Sequence, residues 1–183
     1  MKAIEDGLEA RKRLLPWAIV AVGLVLRVAI ALFVRKPVDG DLDFFLIPWV
    51  EHLREFGVAG LADEFNNYAP AYIYFLALIA WSGLPEVTCI RLLSGVFDYV
   101  CAYFVGRMLR STGVRIFGKQ DPMPWALAVV PLVPTLLINS CYWGQCDAIY
   151  GAFALAAVAF AIEGRQWSAA VERSGGSWPG VRL

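Results

Sequence analysis

Three carboxylates at alternate positions, Asp39, Asp41 and Asp43, are the side chains best suited to chemistry in this sequence. They lie at the start of the stretch Asp39 to Tyr74, which apolar runs flank on both sides. Carboxylates are costly to hold beside hydrocarbon, so an acidic group next to membrane-length apolar runs points to a site. Two chemistries suit them. Carboxylates that are crowded and partly desolvated become better proton acceptors, and one of them can serve as a general base toward a sugar or protein hydroxyl. Two of them can also form a loose divalent-ion site. The D-x-D-x-D spacing is not that of an EF-hand, which would need Gly where Phe44 stands and Glu where Val50 stands. A solvated acidic turn around Gly40 is the third reading, and spacing alone leaves all three open.

Other chemistries are poorly served. There is no Gly-x-Ser-x-Gly, no P-loop, and no histidine except His52 to partner a Cys or Ser nucleophile. His52 itself reads as a solvated surface residue. The cysteines Cys89, Cys101, Cys141 and Cys146 form no CxxC and lie in or beside apolar runs, so they read as small buried hydrophobes and not as zinc ligands. Charges within apolar runs are few. Arg27 either snorkels, pairs with a carboxylate or faces a polar cavity. Arg91 and Asp98 are seven residues apart, hence on one helical face, where they suit an ion pair with each other or with a neighbouring span.

The elements that must position these groups are membrane helices. Of the 183 residues, 59% are hydrophobic and only 17% charged, with seven Trp, seven Tyr and eleven Phe. Mean hydropathy is +0.59. This is the profile of an integral membrane protein, and a net charge of zero gives no reason to expect a nucleic-acid partner. The pattern predicts an all-α, polytopic transmembrane bundle with about five spans, at 14–34, 70–84, 87–109, 123–143 and 148–162. The first apolar run has no small-residue cleavage site after it and reads as a retained span. Lys2, Arg11, Lys12 and Arg13 place the N-terminus in the cytoplasm. Residues 35–69 form an outside loop. In it Phe45, Trp49, Leu53 and Phe56 recur at helical spacing, with Glu51, His52, Arg54 and Glu55 on the other face, predicting an amphipathic helix that lies in the lipid interface and ends at Gly57 and Gly60. Pro124, Pro131 and Pro134 predict kinks in the fourth span. Residues 166–183, rich in Gly and Ser, read as a disordered tail.

One conflict follows from this pattern. Alternating five spans from a cytoplasmic start puts the connection carrying Arg107, Arg110, Arg115 and Lys119 outside, whereas its charge argues for inside. Either a short run among spans two and three is re-entrant, or the charge bias is overridden.

The ordered motifs resemble a known group. After the acidic loop comes Tyr68-Ala69-Pro70-Ala71-Tyr72-Ile73-Tyr74 at the start of an apolar run. Arg91 and Asp98 follow in the third span, then Asn139 and the turn Trp143-Gly144-Gln145-Cys146-Asp147. Over roughly 14–165 this resembles the GT-C superfamily of membrane glycosyltransferases, and most of all bacterial relatives of the GPI-anchor mannosyltransferases. Trp-Gly-Gln-x-Asp is the most specific piece. In departures from the family pattern, Trp49 sits one residue further from Asp41, Asn67 replaces an Asp, and Ala69 and Ala71 replace a Pro and a Gly. The resemblance implies a polyprenyl-phosphate sugar as donor, used at the outer face of a bacterial plasma membrane, with mannosyl or hexosyl transfer to an acceptor hydroxyl. It places the catalytic Asp in the first outside loop, at Asp41 with Asp43 second. It implies substrate-binding roles for Arg27, Tyr68, Arg91, Trp143, Gln145 and Asp147; no cofactor is fixed, and a divalent metal ion stays open. Such enzymes usually have eight or more spans, so the chain corresponds to the N-terminal part of one. The alternative is a non-enzymatic membrane scaffold, or a transporter or lipid-binding subunit, which would not need Asp41.

Overall fold

A computed structural model describes residues 2–35, 40–117 and 121–173, with side chains for 11–35, 40–117 and 121–166. Among these residues the structure is a helical bundle. Its helices are α1 (Lys2–Phe33), α2 (Ile47–Phe56), α3 (Pro70–Ser82), α4 (Glu86–Ser111), α5 (Pro122–Val129), α6 (Pro134–Leu137) and α7 (Asp147–Arg173). Single π-helical turns precede α2 (Leu42–Leu46) and follow α6 (Ile138–Tyr142).

Three helical segments, Arg11–Phe33, Glu86–Ser111 and Asp147–Gln166, are long and apolar enough to cross a membrane. A fourth crossing is made if Pro122–Leu132 and Pro134–Tyr142, bent by 59° at their junction, count as one broken span. The bend is where the prolines place it. Pro134 has no N–H to offer the preceding turn, so the ladder stops at Val133 and leaves carbonyls to be satisfied from elsewhere.

The run at 70–84 does not form the expected second span. Its helix α3 has 13 residues, about 20 Å of rise against the ~30 Å of a hydrocarbon core. Both of its ends also lie against the ten-residue α2. Tyr68, just before α3, packs edge-on to Trp49 at 5.0 Å, and Glu86, just after it, accepts from Arg54 at 3.3 Å. Gly83, in the left-handed region at φ 69°, turns the chain straight into α4. So α3 begins and ends beside α2 before the chain turns into α4.

With α3 not crossing, the polarity of the other helices is set by their contacts. Arg91, near the start of α4, donates to the carbonyls of Ile30 (3.5 Å), Val34 (2.7 Å) and Arg35 (3.4 Å) at the end of α1. It also donates to Tyr142 at the end of the broken span (2.9 Å). At the far end of α4, Arg107 pairs with Glu163 of α7 and Arg110 with Asp121, the N-cap of α5. One end of the bundle therefore gathers residues 40–69 and the turn 143–146. The other gathers Arg107, Arg110 and the residues leading into Arg115. The contacts thus put the basic connection and the acidic loop at opposite ends of the bundle.

The amphipathic helix is real, but protein covers much of its apolar face. Trp49 and Leu53, expected in lipid, are buried together with Leu42, Leu46 and Val50 against Tyr72, Leu76, Ile79, Ile90 and Ile149. Only Phe45 and Phe56 of the expected face stay exposed. The 3.6-residue period is the same for either covering, so the pattern could not tell lipid from α3. Fully burying each such side chain is worth about 1.5–3 kcal/mol, which ties the acidic loop to the bundle. The tail expectation also shifts. Helix α7 continues through Arg173, and 174–183 lie outside the described residues.

Candidate functional site

The π-helical turn that starts at Leu42 leaves Asp41 as its N-terminal flanking residue, on the surface of the bundle. Leu42, fully buried beside it, anchors that surface position. What Leu42 meets is the second half of the site. Gly144 is in the left-handed region at φ +68°, and a Cβ there would stand 3.1 Å from a Leu42 methyl and 3.3 Å from Ile90. Only glycine combines that backbone with so close an approach. The turn it makes closes the end of the broken span. Trp143 N–H donates to Ile138 O and Gln145 N–H to Asn139 O, both at 3.0 Å. This is a glycine-closed helix end, widened by the π-helical turn.

The closure brings the two motifs into contact. The Gln145 Nε2 donates to Asp41 Oδ2 at 2.6 Å, across 104 residues of chain. Two residues on, Asp147 accepts from Asn139 Nδ2 at 3.0 Å and opens α7. An acid in the first turn of a helix is also stabilised by the helix dipole. Asp41 and Asp147 are both exposed, and Asp43 is half-buried on the π-helical turn. Asp39 lies outside the described residues.

Tyr68 stands between these groups and the core. It packs on Trp49 and, at 5.6 Å, on Tyr72. Burial first, and then the neighbouring Cys146 and the carboxylates Asp41 and Asp147, push its phenol up to about 12. It is therefore a neutral donor at ordinary pH. Burial and then Asp147 push the neighbouring Cys146 thiol up to about 11, so it too is protonated and unreactive. Trp143 is half exposed on the outside of the turn. Among the described residues no group of three or more His, Cys, Asp or Glu side chains is placed to hold a metal ion.

Arg27 and Arg91, expected at the same site, are not part of it. Both are buried, at 3% and 1% exposure. Arg27 donates to Asp98 Oδ2 (2.8 Å) and to the Pro131 carbonyl freed by the break (2.5 Å), and lies over the Tyr99 ring. Ser140 completes Asp98 from the other side at 2.9 Å. Gly95 makes room for this, since a Cβ there would meet the Arg27 side chain at 3.3 Å. Asp98 thus pairs with a neighbouring helix and not with Arg91, which donates to the four carbonyls described above. The carbonyl-rich C-terminus of α1 suits that cation.

Two features escaped the sequence reading. Asn139 carried no assigned role, although an Asn eight residues before the Asp of the turn was visible. His52 is not a freely solvated group. Its ring stacks on Phe65 at 4.2 Å and its Nε2 is 3.0 Å from Asp63, which pins the loop after α2.

Compared with family models, curated proteins and solved structures, the chain matches none.

Proposed function

We propose that the exposed cluster around Asp41 is the reacting end of a membrane glycosyltransferase, which moves a hexosyl group from a polyprenyl-phosphate donor to an acceptor hydroxyl. Asp41 is the general base, with Asp43 the alternative. It takes the proton of the acceptor hydroxyl as that oxygen bonds to the anomeric carbon. The bond from that carbon to the phosphate oxygen breaks, and the polyprenyl phosphate leaves with the electron pair. Tyr68, Trp143, Gln145 and Asp147 bind the sugars, with Tyr68 as a neutral hydroxyl donor. Arg27 and Arg91, engaged inside the bundle, act on the scaffold.

The observation that carries this assignment is the Asp41–Gln145 hydrogen bond. It joins the acidic loop to the Trp-Gly-Gln-x-Asp turn, the two most distinctive parts of the sequence, and Asp41 stays exposed. A base needs that combination of fixed orientation and access. The basic residues at the opposite end of the bundle favour a cytoplasmic position for that end. In this reading the site faces the outer side of a bacterial plasma membrane.

The test is transfer itself. Membranes holding the protein are incubated with radiolabelled polyprenyl-phosphate hexoses and hydroxyl-bearing acceptors. Label is expected to move to the acceptor and to stop moving in Asp41→Asn. No transfer from any hexose donor, in membranes where the protein is abundant and folded, would contradict the assignment.

A further inference from the structure

We propose that Asn139 is the positioning residue of the site, holding Asp147 as a second substrate-contacting carboxylate; this rests on the transferase reading above. Asn139 acts twice. Its side-chain amide donates to Asp147 Oδ2 at 3.0 Å, and its carbonyl accepts from the backbone N–H of Gln145 at 3.0 Å. Gln145 in turn donates to Asp41 at 2.6 Å. One residue therefore fixes one carboxylate directly and the other through a single intermediate.

Its place in the fold supports a positioning role. Asn139 is in the π-helical turn Ile138–Tyr142, in which one extra residue re-aims the side chains relative to a regular helix. The next residue, Ser140, points into the bundle and donates to the buried Asp98. The turn thus sends adjacent polar side chains to opposite tasks, Ser140 inward to the scaffold and Asn139 outward to the site. An amide is suited to the outward task. Its N–H donates to an ionised carboxylate without adding a cation that would neutralise it. The single bond leaves Asp147, which is exposed, able to accept from the hydroxyls of a sugar.

A purely structural role for the pair would be a clasp on the first turn of α7. The two roles separate in a swap experiment on the full-length protein in membranes, in a background with Cys89→Ala, Cys101→Ala and Cys141→Ala, which leaves Cys146 as the one thiol. Turn order is read by maleimide labelling of Cys146, which is buried between Gln145 and Asp147, and turnover by sugar transfer. Asn139→Asp removes the donor and faces one carboxylate with another. It should raise Cys146 labelling and lower kcat on the order of tenfold to a hundredfold, with donor KM little changed, the scale expected when a reacting group is misplaced by about an ångström. Adding Asp147→Asn restores a donor–acceptor pair with its polarity reversed. Cys146 protection should return while transfer stays low, because the carboxylate is then on the wrong residue. Recovery of transfer together with protection would overturn the proposal and leave a structural clasp. Transfer and labelling both unchanged in Asn139→Asp would overturn it as well. A wild-type protein without transfer from any donor overturns the transferase reading, and the role given to Asp147 falls with it.

Discussion

Two polar clusters in this bundle use the same residue types to opposite ends. In the interior, Asp98 has a donor on each oxygen, from Arg27 and Ser140, and is shut away from solvent. At the end of the bundle, Asp41 and Asp147 each hold one amide donor and remain exposed. A charge within an apolar run is a site hypothesis by default. Here the charges deepest in the bundle hold the broken helix together, and those at the surface remain open to a ligand. What separates scaffold from site is the number of acceptor positions left open.

The contrast breaks most visibly at Asp98. Removing one partner of a buried pair leaves the other charge uncompensated, at a cost of about 3–5 kcal/mol. Asp98→Asn should therefore lower the unfolding midpoint in detergent sharply. The double change Arg27→Met with Asp98→Leu should recover most of the loss. A single variant as stable as the wild type would make the interior pair dispensable. Leu53→Ala tests whether α2 belongs to the core. It should cost about 2–5 kcal/mol because its cavity opens against α3. Phe56→Ala, on the exposed side, should cost far less, and equal costs would restore a lipid-facing helix. Gly144→Ala should cost on the order of 1–2 kcal/mol for the left-handed backbone, more if Leu42 cannot yield. Gly164→Ala, in open space within α7, should be neutral or stabilising by about 0.5–1 kcal/mol, measured in the same unfolding experiment.

The smallest expected effect is one of pH. The Arg110 guanidinium beside Asp121, helped by the Met123 N–H, holds the Asp121 carboxyl below the usual carboxylate range. A depressed folded-state value means its stabilisation is complete above the unfolded value and is lost as pH falls through the folded one. The pair is exposed, so its worth is under about 1 kcal/mol. The stability gap between wild type and Asp121→Asn should be constant above about pH 5 and close as the pH falls below about 4. A gap that widened on acidification would contradict this linkage.

Much of the fold was legible in the sequence, because composition and the helical period depend only on local chemistry. The apolar runs, the amphipathic α2, the kink at the prolines and the flanks of the site were all readable. Two things were not. Whether the run 70–84 crosses depends on where its ends meet α2, a tertiary fact that hydropathy does not encode. Whether Arg91 or Arg27 takes Asp98 depends on which carbonyls the break at Pro134 sets free. Of the site, Asp41 and Gln145 were both singled out, but their contact spans 104 residues and no local pattern reports it. Asn139 was visible only as part of a motif, since its role comes from a π-helical turn that the sequence does not announce.

The central claim is that Asp41, oriented by Gln145, is the base. Initial transfer rates from a polyprenyl-phosphate hexose, compared for wild type, Asp41→Asn, Asp43→Asn and Asp39→Asn in membranes with matched protein levels, test it most directly. Asp41→Asn should lose on the order of a hundredfold or more in rate with donor binding little changed, and the other two variants should lose less. Near-normal turnover in Asp41→Asn, with loss in Asp43→Asn, would move the base to Asp43. Full activity in all three would reduce the acidic loop to a solvated turn and contradict the account.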